Sequence, residues 1–216
     1  MQEPDYQRHL CRVQDYIDSF FGQHVGRFLD IGACRLANNN MTRLLGRGWQ
    51  GVMLEPIAHN VLALEQELVN QGWRAQVTLV RAALVTDDHA TDSVTMHDSI
   101  DITCHATWGS ASVQPGWVER ALKPPDWDGR THSTVVPALT CTALLDQHGS
   151  CWDLVKIDAE GLTTDLLRRL LRQGLQAKLI CMELESYWAD LVPELADLGH
   201  SVREMIDHDL LLSPLH

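Results

Sequence analysis

The chain has 216 residues, of which 45% are hydrophobic and 21% are charged, a composition typical of one globular domain. Its 29 acidic and 17 basic residues give a formal net charge of −12. This balance argues against binding to nucleic acid or to an anionic membrane, because both need a basic protein surface.

The N-terminus and the cysteines favour a cytoplasmic protein. Residues 1–5 are polar and acidic, unlike a secretory signal peptide. No apolar run is long enough for a transmembrane helix, and none of the six cysteines forms a C-x-x-C pair. We therefore expect one cytoplasmic domain over residues 1–216, with reduced thiols.

The hydrophobic pattern predicts helices that alternate with strands. Apolar residues at three- and four-residue steps predict an N-terminal amphipathic helix over 5–22, which packs on the sheet or on a second copy and makes a homodimer plausible. The elements that follow are strand 27–32, helix 40–46, strand 51–56, helix 60–71, strand 76–85, a regular stretch 135–145, strand 153–158, a helix from 161, strand 177–183, helix 188–198 and a hairpin over 202–212. This alternation indicates βαβ units around a parallel sheet covered on both faces.

One segment interrupts the regularity, and we expect it to be an irregular insertion that forms a lid. Residues 86–134 show no convincing periodicity, and they contain Trp108, Trp117 and Trp127. A long irregular segment inside a domain is usually functional or disordered, and the aromatic content favours an ordered lid. The three tryptophans could form a wall for a sugar or aromatic acceptor, or the insertion's own small core.

Three acidic residues each close a predicted strand: Asp30, Glu55 and Asp158. In an open parallel sheet, ligands bind beyond the carboxyl ends of the strands. Gly32, in the first turn after a strand, permits close approach of a ligand to the backbone. Glu55 follows 23 positions later and can accept hydrogen bonds from both ribose hydroxyls, so this pattern fits an adenosine cofactor.

The residues of the first turn help to decide which adenosine cofactor binds. A dinucleotide site needs the pattern G-x-G-x-x-G, but Gly32 is followed by Cys34 and Leu36, with no second glycine until Gly46. An acid beside this turn repels a pyrophosphate and favours a cationic amine or sulfonium. S-adenosylmethionine carries both groups.

Three segments resemble the FkbM-type methyltransferases, a family of class I S-adenosylmethionine-dependent enzymes. They are Phe28–Ala33, Gly48–Pro56 and the run WDLVKIDAEG at Trp152–Gly161, the most distinctive of the three. The resemblance implies a Rossmann-like α/β fold, with a seven-stranded, mostly parallel sheet of order 3-2-1-4-5-7-6, an antiparallel seventh strand and helices on both faces.

The resemblance also implies roles for individual residues. Asp30, Gly32 and Ala33 are expected to border the methionine part of S-adenosylmethionine, where Asn39 or Asn40 could replace some polar contacts of the family. Glu55 is expected to hold the ribose, and Asp158 to lie beside the sulfonium. The remaining two positions are expected to flank the adenine, namely Pro56 and Ala83.

The family resemblance favours O-methylation of a hydroxyl on a small molecule or glycan, for which a base must accept the hydroxyl proton. Asp158 is the first candidate for this base and Glu160 the second. His105 and His132 in the insertion are rivals, because imidazole is the more usual base near neutral pH.

Four acids at the ends of two neighbouring strands could also hold a divalent cation: Asp158, Glu160, Glu183 and Glu185. Glu160 is more simply explained as a cap on the following helix, so we do not expect a metal. Two other functions stay open. A nicotinamide-dependent oxidoreductase is disfavoured by the missing glycines, and a non-catalytic adenosine-binding scaffold is suggested by Leu36, which stands where the family commonly has glycine.

Overall fold

The architecture is that of a computed structural model, which describes residues 3–89, 91–99, 111–121, 130–184 and 191–215. The helices are α1 (Glu3–Phe21), α2 (Thr42–Gly46), α3 (Ala58–Asn70), α4 (Trp117–Ala121), α5 (Cys141–His148), α6 (Thr163–Arg172) and α7 (Val192–Asp197). The strands are β1 (Arg27–Ile31), β2 (Gln50–Leu54), β3 (Val77–Val80), β4 (Ala83–Val85), β5 (Ser93–Ser99), β6 (Thr131–Thr140), β7 (Cys151–Ile157), β8 (Gln176–Glu183), β9 (His200–Ile206) and β10 (Asp209–Pro214).

Seven of these strands form the main sheet, in the order β3-β2-β1-β7-β8-β10-β9. β10 runs antiparallel to both of its neighbours, and the other pairings are parallel. Counted along the chain within this sheet alone, the order is 3-2-1-4-5-7-6. The predicted fold class and strand order are therefore confirmed.

Side chains of each central strand alternate between two apolar layers, because successive residues of a strand point to opposite faces. In β1, Leu29 and Ile31 pack in the layer that contains α5, α6 and α7. Phe28 packs in the other layer, with α1, α2 and α3. Helices consequently cover both faces of the sheet, which explains why the strands read as nearly continuous apolar runs.

The N-terminal helix begins and ends one or two residues before the predicted bounds. Its apolar stripe is buried in the chain's own core, through Val13, Ile17 and Phe21. Phe20 of the same helix is exposed, and the homodimer stays a prediction. No helix among the described residues is long and apolar enough to cross a membrane.

The region after β3 differs from the prediction. The expected strand 76–85 is two strands, because β4 leaves the main sheet and pairs in parallel with β6, which also pairs antiparallel with β5. The segment expected to be irregular thus contains β5, α4 and the start of β6. Few side chains of this segment are apolar, so its sequence carries little hydrophobic alternation. Met96 and Val136 form a small cluster with Ala83, separate from the two main core layers. Trp108, Trp127 and His105 lie outside the described residues.

Candidate active site

A cavity of about 660 Å³, including its opening to solvent, lies at the carboxyl ends of β1, β2 and β7. Parallel strands bring these ends to one edge of the sheet, where ligands of such folds bind. The polar walls of the cavity include Glu55, Asp158 and Glu160, and its apolar walls include Pro56 and Leu84.

Gly32 fits β1 against β7 at the floor of this cavity. Its φ is +84°, and an added Cβ would lie 1.8 Å from the carbonyl oxygen of Asp158. The Gly32 and Ala33 amides both donate to the Leu54 carbonyl, at 3.1 and 2.9 Å. Only glycine can occupy this position without moving the backbone, and the missing side chain leaves the turn open to the cavity.

Glu55 follows β2 and is a buried carboxyl group in the cavity wall. Its Oε2 accepts a hydrogen bond from the Cys34 amide at 2.9 Å, and its Oε1 accepts from the Ile57 amide at 2.9 Å and from Asn60 Nδ2 at 3.3 Å. Burial raises the pKa of Glu55 from 4.5 to about 7, although these hydrogen bonds oppose the shift. The side chain is thus held in one position and is close to half-ionised near neutral pH.

Lys156 supplies a buried positive charge near the carboxyl end of β7. Its Nζ lies 2.8 Å from Asp158 Oδ2 and 3.9 Å from Asp30 Oδ1. Burial alone would raise the pKa of Asp158, but attraction to Lys156 and side-chain hydrogen bonding together lower the pKa below its usual value. Asp158 is therefore ionised near neutral pH. Lys156 and Asp158 are two positions apart, which puts both side chains on one side of the strand end.

Three carboxyl groups meet beside the cavity, those of Asp158, Glu160 and Glu183. One oxygen from each lies within 4.8 Å of the others, a set of ligand atoms that a divalent cation prefers. Lys156 already compensates the charge of Asp158. The interaction with Asp158 and burial together raise the pKa of Glu183 well above its usual range.

Residues 111–121 dock on the loop that follows β7. Ser112 Oγ donates to the Glu160 carbonyl at 2.5 Å, the Gln114 side-chain amide donates to the Gly161 carbonyl, and Trp117 Nε1 donates to Glu160 Oε2 at 2.9 Å. Leu162 occupies the N-cap position of α6 and its side chain makes no cap hydrogen bond, and the expected cap by Glu160 stays a prediction. Glu160 is oriented by Trp117 and lines the cavity.

The structure brings together six of the predicted site residues, of which Glu160 is described above. Gly32, Glu55, Pro56, Ala83 and Asp158 all line the cavity. His132 is exposed on β6 and does not line it.

Three residues expected to border the methionine part are buried and do not line this cavity. Asp30 is fully buried and accepts a hydrogen bond from Asn39 Nδ2 at 2.6 Å. The same Asn39 amide donates to the Ala33 carbonyl at 2.9 Å, so this pair fixes the loop after β1. Ala33 and Asn40 are buried, and neither lines the cavity. The contacts of these three residues with the methionine part stay predictions.

Several cavity residues escaped the sequence analysis. The spacing of Lys156 and Asp158, and the position of Asn60 in the first turn of α3, were signals that could have been used. Met96 and Ser112 reach the cavity from the second sheet and from the docked segment. No local sequence signal predicts that placement, because it depends on long-range pairing.

No protein-family model and no curated protein sequence matches the chain. Solved structures do match: magnesium protoporphyrin IX methyltransferase (ChlM) from Synechocystis PCC 6803 with bound SAM has a TM-score of 0.52 and 11% identity, and the match covers 95% of this chain and 77% of that chain. The putative methyltransferase yhhF from Escherichia coli has a TM-score of 0.51 and 11% identity, covering 94% and 86%.

The METTL16 methyltransferase domain has a TM-score of 0.51 and 11% identity, and the match covers 93% of this chain. The chain spans 65% of that domain's length. At such identities the likeness concerns the fold alone. This chain has the Rossmann-like fold of class I S-adenosylmethionine-dependent methyltransferases.

Proposed function

We propose that the chain is an S-adenosylmethionine-dependent methyltransferase that methylates a hydroxyl group on a small molecule or glycan. The observation that carries the proposal is the convergence of Gly32, Glu55 and Asp158 on one cavity, at the ligand-binding edge of a methyltransferase fold. The choice of oxygen as acceptor, and of the FkbM type, rests on the resemblance of the sequence segments.

The residues present fit the parts of this cofactor. Pro56, Ala83 and Leu84 give an apolar wall for the adenine, and Glu55 offers a fixed carboxyl group for the ribose hydroxyls. Asp158 places a negative charge where the cationic sulfonium is expected. A pyrophosphate would meet the same charge, and the turn at Gly32 lacks the further glycines that a dinucleotide needs.

Leu36 gives no support to the scaffold alternative. Its side chain is buried in the core layer with α1, α2 and α3, and it does not line the cavity. Leu36, which replaces the family's glycine, therefore does not obstruct the part of the cavity proposed for the methionine of the cofactor.

When bound, S-adenosylmethionine supplies a methyl group on a sulfonium, a leaving group that needs no protonation. The protein's part is to position the acceptor, exclude water and accept the hydroxyl proton. Glu160 is the better candidate for this base, because it lines the cavity and Trp117 orients it. Asp158 is the weaker base since its ion pair with Lys156 lowers its pKa, which reverses the order that the sequence suggested.

Calorimetry tests the cofactor assignment. We expect micromolar binding of S-adenosylmethionine and of its demethylated product S-adenosylhomocysteine, with no binding of NAD. Glu55→Ala should weaken both ligands by about tenfold or more, because hydrogen bonds to a charged group are lost. The matched control Glu204→Ala, at an exposed position of β9, should bind like the parent protein.

Two results would overturn the assignment. Binding of NAD alone favours the oxidoreductase, and binding of none of the three ligands favours the scaffold. The acceptor is tested by following S-adenosylhomocysteine release with panels of alcohols, sugars and amines. Turnover with amines alone would refute O-methylation.

A further inference from the structure

The hydrogen bonds of Glu55 limit how much of a ribose its carboxyl group can hold. An ionised carboxylate accepts about four hydrogen bonds, shared equally by its oxygens. Oε1 already accepts from the Ile57 amide and from Asn60 Nδ2, and Oε2 accepts from the Cys34 amide. A place for a single further donor is left, at Oε2. The pair of ribose hydroxyls in an adenosine therefore exceeds what Glu55 can accept.

Asn60 offers an acceptor beside this carboxyl group. Asn60 is 6% exposed, lies in the first turn of α3 and lines the cavity. Its Nδ2 is the atom that faces Glu55, because an ionised carboxylate only accepts hydrogen bonds and the nitrogen is the donor of an amide. The amide oxygen Oδ1 is bonded to the same carbon as Nδ2, so it also lies close to the carboxyl group.

The oxygen Oδ1 of Asn60 is open to a ligand. It accepts no hydrogen bond from the described residues, and it is not one of the fully buried side-chain atoms that lack a partner. Since the rest of the side chain is buried, solvent reaches Oδ1 through the cavity that Asn60 lines. Nearly every buried polar group of a folded protein has a hydrogen-bond partner, so an acceptor that opens on a ligand cavity indicates a donor on the ligand.

The other polar side chains of the cavity wall lie at the β7 end, where the sulfonium and the acceptor are expected. Asp158 and Glu160 follow β7, and Ser112 docks on this loop through the Glu160 carbonyl. Cys34, in the turn after β1, offers a thiol, which is a weak acceptor. Among the described side chains that line the cavity, Asn60 is therefore the acceptor for a hydroxyl that finds no place on the neighbouring carboxyl group.

We propose that Asn60 is a ribose-binding residue, which accepts a hydrogen bond from one ribose hydroxyl at Oδ1 while Glu55 accepts from the other at Oε2. The inference rests on the proposed function and deepens it. Each hydroxyl then has its own acceptor, and a single amide both fixes the carboxyl group and completes the ribose site. The pair would select a ribonucleoside over a deoxyribonucleoside, because loss of either hydroxyl leaves a buried acceptor without a partner.

Calorimetry at about pH 8, where Glu55 is mostly ionised, tests this division with S-adenosylhomocysteine and its 2′-deoxy and 3′-deoxy analogues. In the parent protein both analogues should bind more weakly, by about three- to tenfold for the hydroxyl that neutral Asn60 holds and by about tenfold or more for the hydroxyl that charged Glu55 holds. Asn60→Leu keeps the approximate size of the side chain and removes its oxygen. In this variant one analogue should bind within about twofold of S-adenosylhomocysteine, and the other should keep its loss. The matched control Asn70→Leu, at an exposed position of the same helix, should follow the parent protein.

If both losses shrink alike in Asn60→Leu, Asn60 acts only by holding Glu55, and the inference is overturned. It is also overturned if both losses persist in full, since Asn60 then holds neither hydroxyl. Should Asn60→Leu not fold, Glu55→Ala decides: one analogue should still bind more weakly than S-adenosylhomocysteine, and equal binding of all the ligands would show that Glu55 alone holds both hydroxyls. Failure of the parent protein to bind S-adenosylhomocysteine is a different result, which overturns the proposed function and this inference with it.

Discussion

Replacing Glu55 by glutamine should make the folded protein less sensitive to rising pH. The raised pKa of Glu55 means that the folded state binds this proton more tightly than the unfolded state does. Its contribution to stability is therefore fully present at low pH and declines as the pH rises from 4.5, the ordinary value, to about 7, the folded value. With these two values, linkage gives a loss of about 2 to 3 kcal/mol between about pH 5 and about pH 8.

Glu55→Gln removes this titration. The glutamine NH₂ group would face the Cys34 amide, a donor, which costs about 1 to 2 kcal/mol at every pH. The difference in unfolding free energy between the variant and the parent should therefore move in favour of the variant by about 2 to 3 kcal/mol from about pH 5 to about pH 8.

Urea denaturation at a series of pH values measures this difference. The exposed residue Glu204 supplies the control, because Glu204→Gln should keep the pH profile of the parent protein. If Glu55→Gln and the parent have parallel profiles, burial does not hold the Glu55 carboxyl in its protonated form, and the reasoning fails.

Ribose hydroxyls donate best to an ionised carboxylate. Binding of S-adenosylmethionine or S-adenosylhomocysteine should therefore also release protons below about pH 7.

Three further substitutions test the packing around the cavity. Gly32→Ala places a Cβ 1.8 Å from the Asp158 carbonyl oxygen and should lower the unfolding free energy by about 4 kcal/mol or more. Lys156→Met leaves the Asp158 carboxylate without its cation and should cost about 2 to 4 kcal/mol near neutral pH, with a smaller loss in acid because Asp158 then takes up a proton. Gly161→Ala brings a Cβ within 2.9 Å of Gln114, so hydrogen exchange should accelerate in residues 111–121.

Gly72 gives the matched control for both glycine substitutions. Its φ is +77°, but an added Cβ would meet nothing within 4 Å. Gly72→Ala should therefore cost only the backbone strain, about 1 to 2 kcal/mol. Equal losses of unfolding free energy in Gly32→Ala and Gly72→Ala would show that the close approach at Gly32 has no consequence. For Lys156→Met, unfolding midpoints that match the parent protein at all pH values would refute the buried ion pair.

The residue pattern was sufficient for the parallel α/β class of the main sheet, and the family resemblance supplied its strand order. Apolar runs at Phe28–Ile31 and Leu154–Ile157 must be buried on both faces, and helices of matching period lie between the strands, so few arrangements satisfy both patterns. The same logic placed Glu55 and Asp158 at the cavity, because each directly follows a parallel strand whose carboxyl end lies at that edge of the sheet.

The tertiary structure alone decided which polar residues face the cavity and what their charges are. Asp30 ends its strand as Glu55 does, but it turns to Asn39 and Lys156 and is fully buried. Met96 and Ser112 join the site through long-range pairings that no local pattern predicts. Protonation and cavity shape depend on distances between groups that are remote in sequence, and local patterns carry no record of those distances.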